Sequence, residues 1–364
     1  MDQPPKDQPP PKDSRRANAR NKKLAPFGII FAFLGLMLFV YTVRKAGVAE
    51  ITGGLRRLGA GFLILIALTG IRQCARTFAW IKCLEAPYRL RFRDAFAARV
   101  MGDALGNIIP LASLAVSEPS KAAFVRDRVP LMIGLSAIAI ENIFYSLSVV
   151  LFIFSGTTAL LLTFTLPKPL RYAAIGTLIA SLVIAPLAFL VIRQRWKFLS
   201  GSFILLGGRV KRNWVEKSIA RAQTLEDRVY GFYDRNRKHF LSILALEFCF
   251  HLAGVAEVYT TLSFVSDTIA PTLFTAFILE SVNRVINVAF KFIPLRTGVD
   301  EYGSGALAKV LGFTKATGVT LAIVRKARDI FWTGIGVALM VRRGLSLRGI
   351  DKQASAIVDE TNAN

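Results

Sequence analysis

Two charges sit deep inside apolar runs, Glu141 in LMIGLSAIAIENIFYSLSVVLFIF and Arg325 in ATGVTLAIVRKARDIFWTGIGVALMV. Each lies 31 residues beyond a proline, Pro110 or Pro294, in an Ile-Pro-Leu triplet. Acidic residues follow each triplet at nearly the same offset: Glu118 after the first, Asp300 and Glu301 after the second. Arg72 stands in another apolar run, with Arg76 one helical turn along the same face. A charge at membrane depth costs several kcal/mol unless paired or wetted. A proline inside a helix frees backbone polar groups, and a half-helix N-terminus attracts anions such as phosphate. The chemistry these residues fit is recognition of a polar group at depth. Asn107, Pro110 and Glu118 form one turn; Pro294, Asp300 and Glu301 form the other. Glu118 and Glu301 suit accepting a proton or contacting a cationic headgroup, and Arg72 suits lining the same cavity. A Glu141–Arg325 pair would relieve both charges, and it fits a structural pair that only fixes helix packing as well as it fits a transport role. Arg76 is expected to snorkel to the cytoplasmic surface.

Other chemistries find no support. The sequence has no Walker-type loop, no G-x-S-x-G and no Ser/His/Asp set within local reach. His251 follows Glu247 by four residues, but two such groups fall short of a metal site. No catalytic residue, cofactor or metal is expected. The Glu247–His251 face reads as a hydrogen-bonded structural pair or a proton relay.

The elements that must position these residues are membrane helices. The chain has 364 residues, 53% hydrophobic and 20% charged, yet a net charge of +23. A soluble domain is less apolar and more charged. The combination excludes a disordered basic protein and argues against a nucleic-acid partner. Three Cys make no disulfide framework. Six full spans are expected, at Ala25–Val43, Leu58–Ile81, Leu131–Phe154, Tyr172–Ile192, Phe240–Val265 and Ala316–Val341. Two broken stretches, Ala95–Val116 and Ile269–Pro294, read as re-entrant hairpins.

Positive charge orients the spans. Residues 1–24 hold seven Lys/Arg and are Pro-rich, reading as a disordered cytoplasmic tail. Residues 195–238 hold eleven Lys/Arg against four acids, a basic helical insertion on the cytoplasmic face, in contact with anionic headgroups. Residues 344–364 form a cytoplasmic tail. Only residues 44–57, with Arg44, Lys45, Arg56 and Arg57, run against this orientation. The fold class is thus an all-α polytopic membrane protein whose transmembrane domain covers 25–343. The two proline-centred units lie in opposite orientations as inverted repeats, a plan that transporters use.

Two stretches resemble a known family. Arg76 through Trp80 with GDALGNIIPLASLAVSEPSKAAFVRD resembles the first signature of the lysylphosphatidylglycerol synthase transmembrane (flippase-like) family. FIPLRTGVDEYGSGALAKVLGF followed by Ala-Ile-Val-Arg resembles the second. By position, Asn107, Pro110 and Glu118 match the first signature; Pro294, Gly298, Glu301 and Arg325 match the second. Ser117, Leu111-Ala112 and Leu295-Arg296 stand where the family usually has Gly, so substrate identity does not carry over. The resemblance implies a stand-alone flippase-like member without the aminoacyl-transfer domain. Glu-Asn-Ile-Phe-Tyr-Ser-Leu-Ser is similar to members associated with bacterial hopanoid biosynthesis. The expected function is movement of a lipid or amphiphile headgroup through a polar cavity between the repeats, in a bacterial inner membrane with both termini cytoplasmic. A proton-coupled exporter of a small amphiphile and a membrane scaffold for lipid-synthesis enzymes are the alternatives.

Overall fold

The computed structural model describes residues 47–108, 113–194, 213–291, 293 and 296–343, with Met37, Val40, Tyr41, Val43 and Arg44. Pro110, Pro294, both tails, residues 195–212 and most of the expected first span lie outside the described residues. Among the described residues there is no strand. The helices are α1 (Val48–Leu58), α2 (Gly61–Lys82), α3 (Phe92–Ile108), α4 (Ser113–Ala123), α5 (Leu131–Thr163), α6 (Lys168–Arg193), α7 (Asn213–Val265), α8 (Leu273–Ala289), α9 (Val299–Val310) and α10 (Lys315–Arg342).

Four helical stretches are long and apolar enough to cross a membrane: Gly61–Lys82, Leu131–Thr163, Lys168–Leu187 and Arg235–Val265. They fall on four of the six expected spans. The expected span Ala316–Val341 is helical as α10, but Arg325, Lys326, Arg328 and Asp329 keep it out of that group. The helix α7 bends at Asn236 (φ −132°, ψ 33°), which separates the basic insertion from the apolar span. Leu63, Ile64, Ile71 and Phe78 of α2 and Ile179, Leu182 and Val183 of α6 all point outward and are exposed. An apolar surface of that extent matches lipid rather than water.

Helices lie on both broken stretches. In the first, α3 ends at Ile108 and α4 begins at Ser113. In the second, α8 ends at Ala289, before Pro294, and α9 begins at Val299. Glu118 lies inside α4 together with Pro119, on a helix rather than on a turn.

Packing relates two four-helix units, α2–α5 and the α7 span with α8–α10. Their first helices, α2 and α7, lie against each other. The last helix of each unit packs on the second helix of the other, α5 on α8 and α10 on α3. That reciprocity is what a two-fold relation produces. Both cross-unit contacts use a glycine. A Cβ at Gly156 would overlap Ser281, and one at Gly336 would overlap Ala104 and the Val100 carbonyl. Between membrane helices such close approach supplies the van der Waals contact that lipid-exposed Leu cannot.

Candidate functional site

Charges gather into two clusters, one centred on Glu141 and one on Glu280. Glu141 of α5 is buried at 1% exposure. Arg76 of α2 reaches it through two parallel hydrogen bonds, Nε to Oε1 at 2.8 Å and Nη2 to Oε2 at 2.9 Å. Arg99 of α3 donates from Nη2 to Glu141 Oε1 at 3.1 Å and from Nη1 to the Arg76 carbonyl at 3.3 Å. Bidentate guanidinium–carboxylate pairing is strong and fixes orientation. Arg76 is therefore an anchored interior residue and does not snorkel to the surface. Its guanidinium also lies over the Tyr145 ring, 3.8 Å from the centroid.

The same cluster continues onto the first hairpin. Lys121 of α4 pairs with Asp103 of α3 at 2.8 Å and with Glu118 at 2.9 Å. Asn142 donates to Glu118 Oε2 at 3.0 Å and accepts from Arg76 at 3.2 Å. The two halves of the hairpin are thus held to each other and to α5 by one connected set of polar groups.

In the second cluster Glu280 of α8 is the hub. It accepts from Arg284, one turn along, from Arg325 of α10 at 3.3 Å, and faces Arg72 of α2 at 3.6 Å. Glu257 of α7 takes Arg72 at 2.7 Å, the Thr69 hydroxyl at 3.3 Å and Arg328 of α10. Arg325 also donates to Ser304 Oγ at 3.4 Å and lies 3.9 Å from Asp300. Glu301 is fully buried, paired with Lys326 and accepting the Gly298 amide at 2.8 Å.

The expected Glu141–Arg325 pair does not form. Each residue has its own partners, because Arg76, Arg99 and Glu280 offer opposite charge closer by. Arg72 sits in the second cluster. Asp300 and Glu301 are consumed by α10 cations, so Glu301 has no face left for a headgroup. Glu118 and Asn107 do line open space, and Asn107 donates to Thr333 of α10 at 2.9 Å.

That space is a cavity of about 330 Å³ between the units. The first unit contributes Gln73, Arg76, Asp103, Asn107, Glu118, Lys121, Asn142 and Tyr145. The second contributes Lys291, Arg296, Asp329, Trp332 and Thr333. Arg296 faces Asp329 at 3.6 Å. Lys291 is exposed and has no ion-pair partner among the described residues. A ligand that entered here would meet ion-paired side chains and, on the described lining, the unpaired Lys291 ammonium.

The match to known proteins agrees with this architecture. Residues 26–336 match the family described as lysylphosphatidylglycerol synthase TM region. The chain belongs to that family. It is accordingly a membrane protein with helical spans. No curated protein matches the chain, and no solved structure does. Within this family member, sequence reasoning passed over Arg99, Asp103, Lys121, Glu280, Arg284 and Lys291. Glu280 and Arg284 carried a usable signal, an opposite-charge pair four residues apart inside an apolar stretch.

Proposed function

We propose that this chain moves the headgroup of an anionic lipid through the cavity between its two units while the acyl chains stay in the bilayer. In this reading the two hairpins are re-entrant from opposite membrane faces, and both termini are cytoplasmic. One observation carries it: the cavity is walled by both units, and its described lining holds a lysine, Lys291, that has no ion-pair partner among the described residues. A phosphate suits that site, since it pairs with that ammonium and accepts from several donors. Asn107, Gln73 and Asn142 supply neutral polar contacts beside it. Polar lining at membrane depth survives where it faces a wet cavity. Two units that pack reciprocally around such a cavity fit the transporter plan in which one repeat rocks against the other.

The test is reconstitution in phosphatidylcholine vesicles carrying a trace of NBD-labelled phosphatidylglycerol. Inner-leaflet label is expected to become accessible to dithionite faster than in empty vesicles. Lys291→Glu is expected to slow this about tenfold, the equivalent of ~1.4 kcal/mol, with thermal stability unchanged because the side chain is exposed. Rates equal to those of empty vesicles defeat the reading.

A further inference from the structure

Glu247 is the buried acid that the transport reading leaves unused. It lies on the α7 span eleven residues past the Asn236 bend, about 16 Å along the helix axis. It is 0% exposed, and neither carboxylate oxygen has a hydrogen-bond partner among the described residues. The nearest cation, Arg76, stays 3.8 Å away at Nε, beyond hydrogen-bonding distance, and its Nε and Nη2 already donate to Glu141 and Asn142. The charge balance around it is uneven. Arg76, Arg99 and Lys121 face four acids: Glu141, Glu118, Asp103 and Glu247. A carboxylate with no donor at that depth is costly, and a proton removes the cost.

The groups around Glu247 come from every neighbouring element. From α2 these are Arg76 and Cys83; from α3, Arg99; from α5, Glu141. On its own helix, His251 lies one turn on, bonded at 3.0 Å to Ser148 of α5, with Nδ1 unpartnered. The charges of α8, Glu280 and Arg284, face His251 rather than Glu247. Arg328 of α10 is taken up by Glu257 and Asp329, further along α7.

We infer that Glu247 is a proton-binding site coupled to the cavity through Arg76, so that the cavity takes up an anion and a proton together. This rests on the transport reading above. With Glu247 protonated, Arg76 is shared by Glu141 alone and lends positive charge to the cavity wall. Without the proton, a second carboxylate 3.8 Å from Arg76 draws on that charge. An anion in the cavity and a proton on Glu247 therefore favour each other, and the coupling is reciprocal. The proton passes from cavity water to a Glu247 carboxylate oxygen and returns to water when the anion leaves; no other bond changes.

Two measurements decide it. Infrared difference spectra of the purified full chain, taken across a pH titration, are expected to show a protonated-carboxyl C=O band that Glu247→Gln abolishes. In the vesicle assay, acidifying the side from which labelled phosphatidylglycerol departs is expected to speed wild-type movement several-fold. Glu247→Gln is expected to move the lipid at a rate indifferent to pH. A wild-type spectrum without the band overturns the inference even if the variant fails to fold. So does a band that survives Glu247→Gln, or pH dependence that persists in that variant. Wild-type vesicles with no lipid movement defeat the transport reading instead, while the infrared band still decides whether Glu247 holds the proton.

Discussion

The Glu141 cluster and the Glu280 cluster are built on one plan with the signs exchanged. In the first unit the last helix brings a carboxylate, and Arg76 and Arg99 come to it from the first and second helices. In the second unit the last helix brings a guanidinium, Arg325, and the second helix supplies the acid, Glu280. The two differ in access. Arg76, Glu118 and Lys121 border the cavity, whereas Glu280, Glu301 and Arg325 are closed off by their neighbours. A buried pair in low dielectric is strong only when every group is matched. The second cluster gives each of its carboxylates, Glu257, Glu280, Asp300 and Glu301, a cation within 4 Å, and holds helices together. The first leaves Glu247 unmatched and opens onto water, which is where ligand chemistry finds room.

The comparison can be broken by removing each hub. Glu280→Gln strands Arg284 and takes a carboxylate from Arg72 and Arg325 in a dry interior. The expected loss is about 3–5 kcal/mol, read as collapse of the melting temperature and of monodisperse yield. Glu141→Gln strands Arg76 and Arg99, but cavity water reaches Arg76. The expected loss is smaller, about 1–3 kcal/mol, with lipid movement abolished although the protein folds. Equal destabilisation by the two variants would erase the proposed difference between a structural clamp and a working site. At the far end, Asp267→Ala removes a partner that is 61% exposed, 2.7 Å from Arg57. It is expected to change stability by less than about 1 kcal/mol and to leave transport untouched, which sharpens the claim that interior charges alone matter.

Much of the fold was legible because a membrane span is a one-dimensional property: twenty apolar residues in a row announce themselves. Leu131–Phe154 and Phe240–Val265 fall on α5 and α7, and the two broken stretches carry the helices α3 and α8. The charge-rich stretch Ala316–Val341, expected as the sixth span, falls on the helix α10, which is not among the four apolar enough to cross a membrane. The site was legible only in part. Glu118 and Asn107 line the cavity as their place beside the broken segment suggested. Arg76 did not snorkel, and Glu141 did not meet Arg325. Arg76 pairs with a residue 65 positions away, Arg325 with one 45 away and Arg72 with one 185 away. With several acids and several arginines at comparable depth, linear spacing carries no information about which of them meet.

By itself, then, the sequence determined that this is a helical membrane chain, that it carries two similarly laid-out units, and which family it belongs to. Those follow from apolar length, proline position and local motifs, all of which act along the chain. Only the tertiary structure decided which charges are spent on one another and which remain for a ligand. Partner choice at low dielectric depends on distances of a few ångströms between helices, and those distances are set by how the two units pack. The packing leaves Lys291 free in the cavity and Glu247 without a donor beside it.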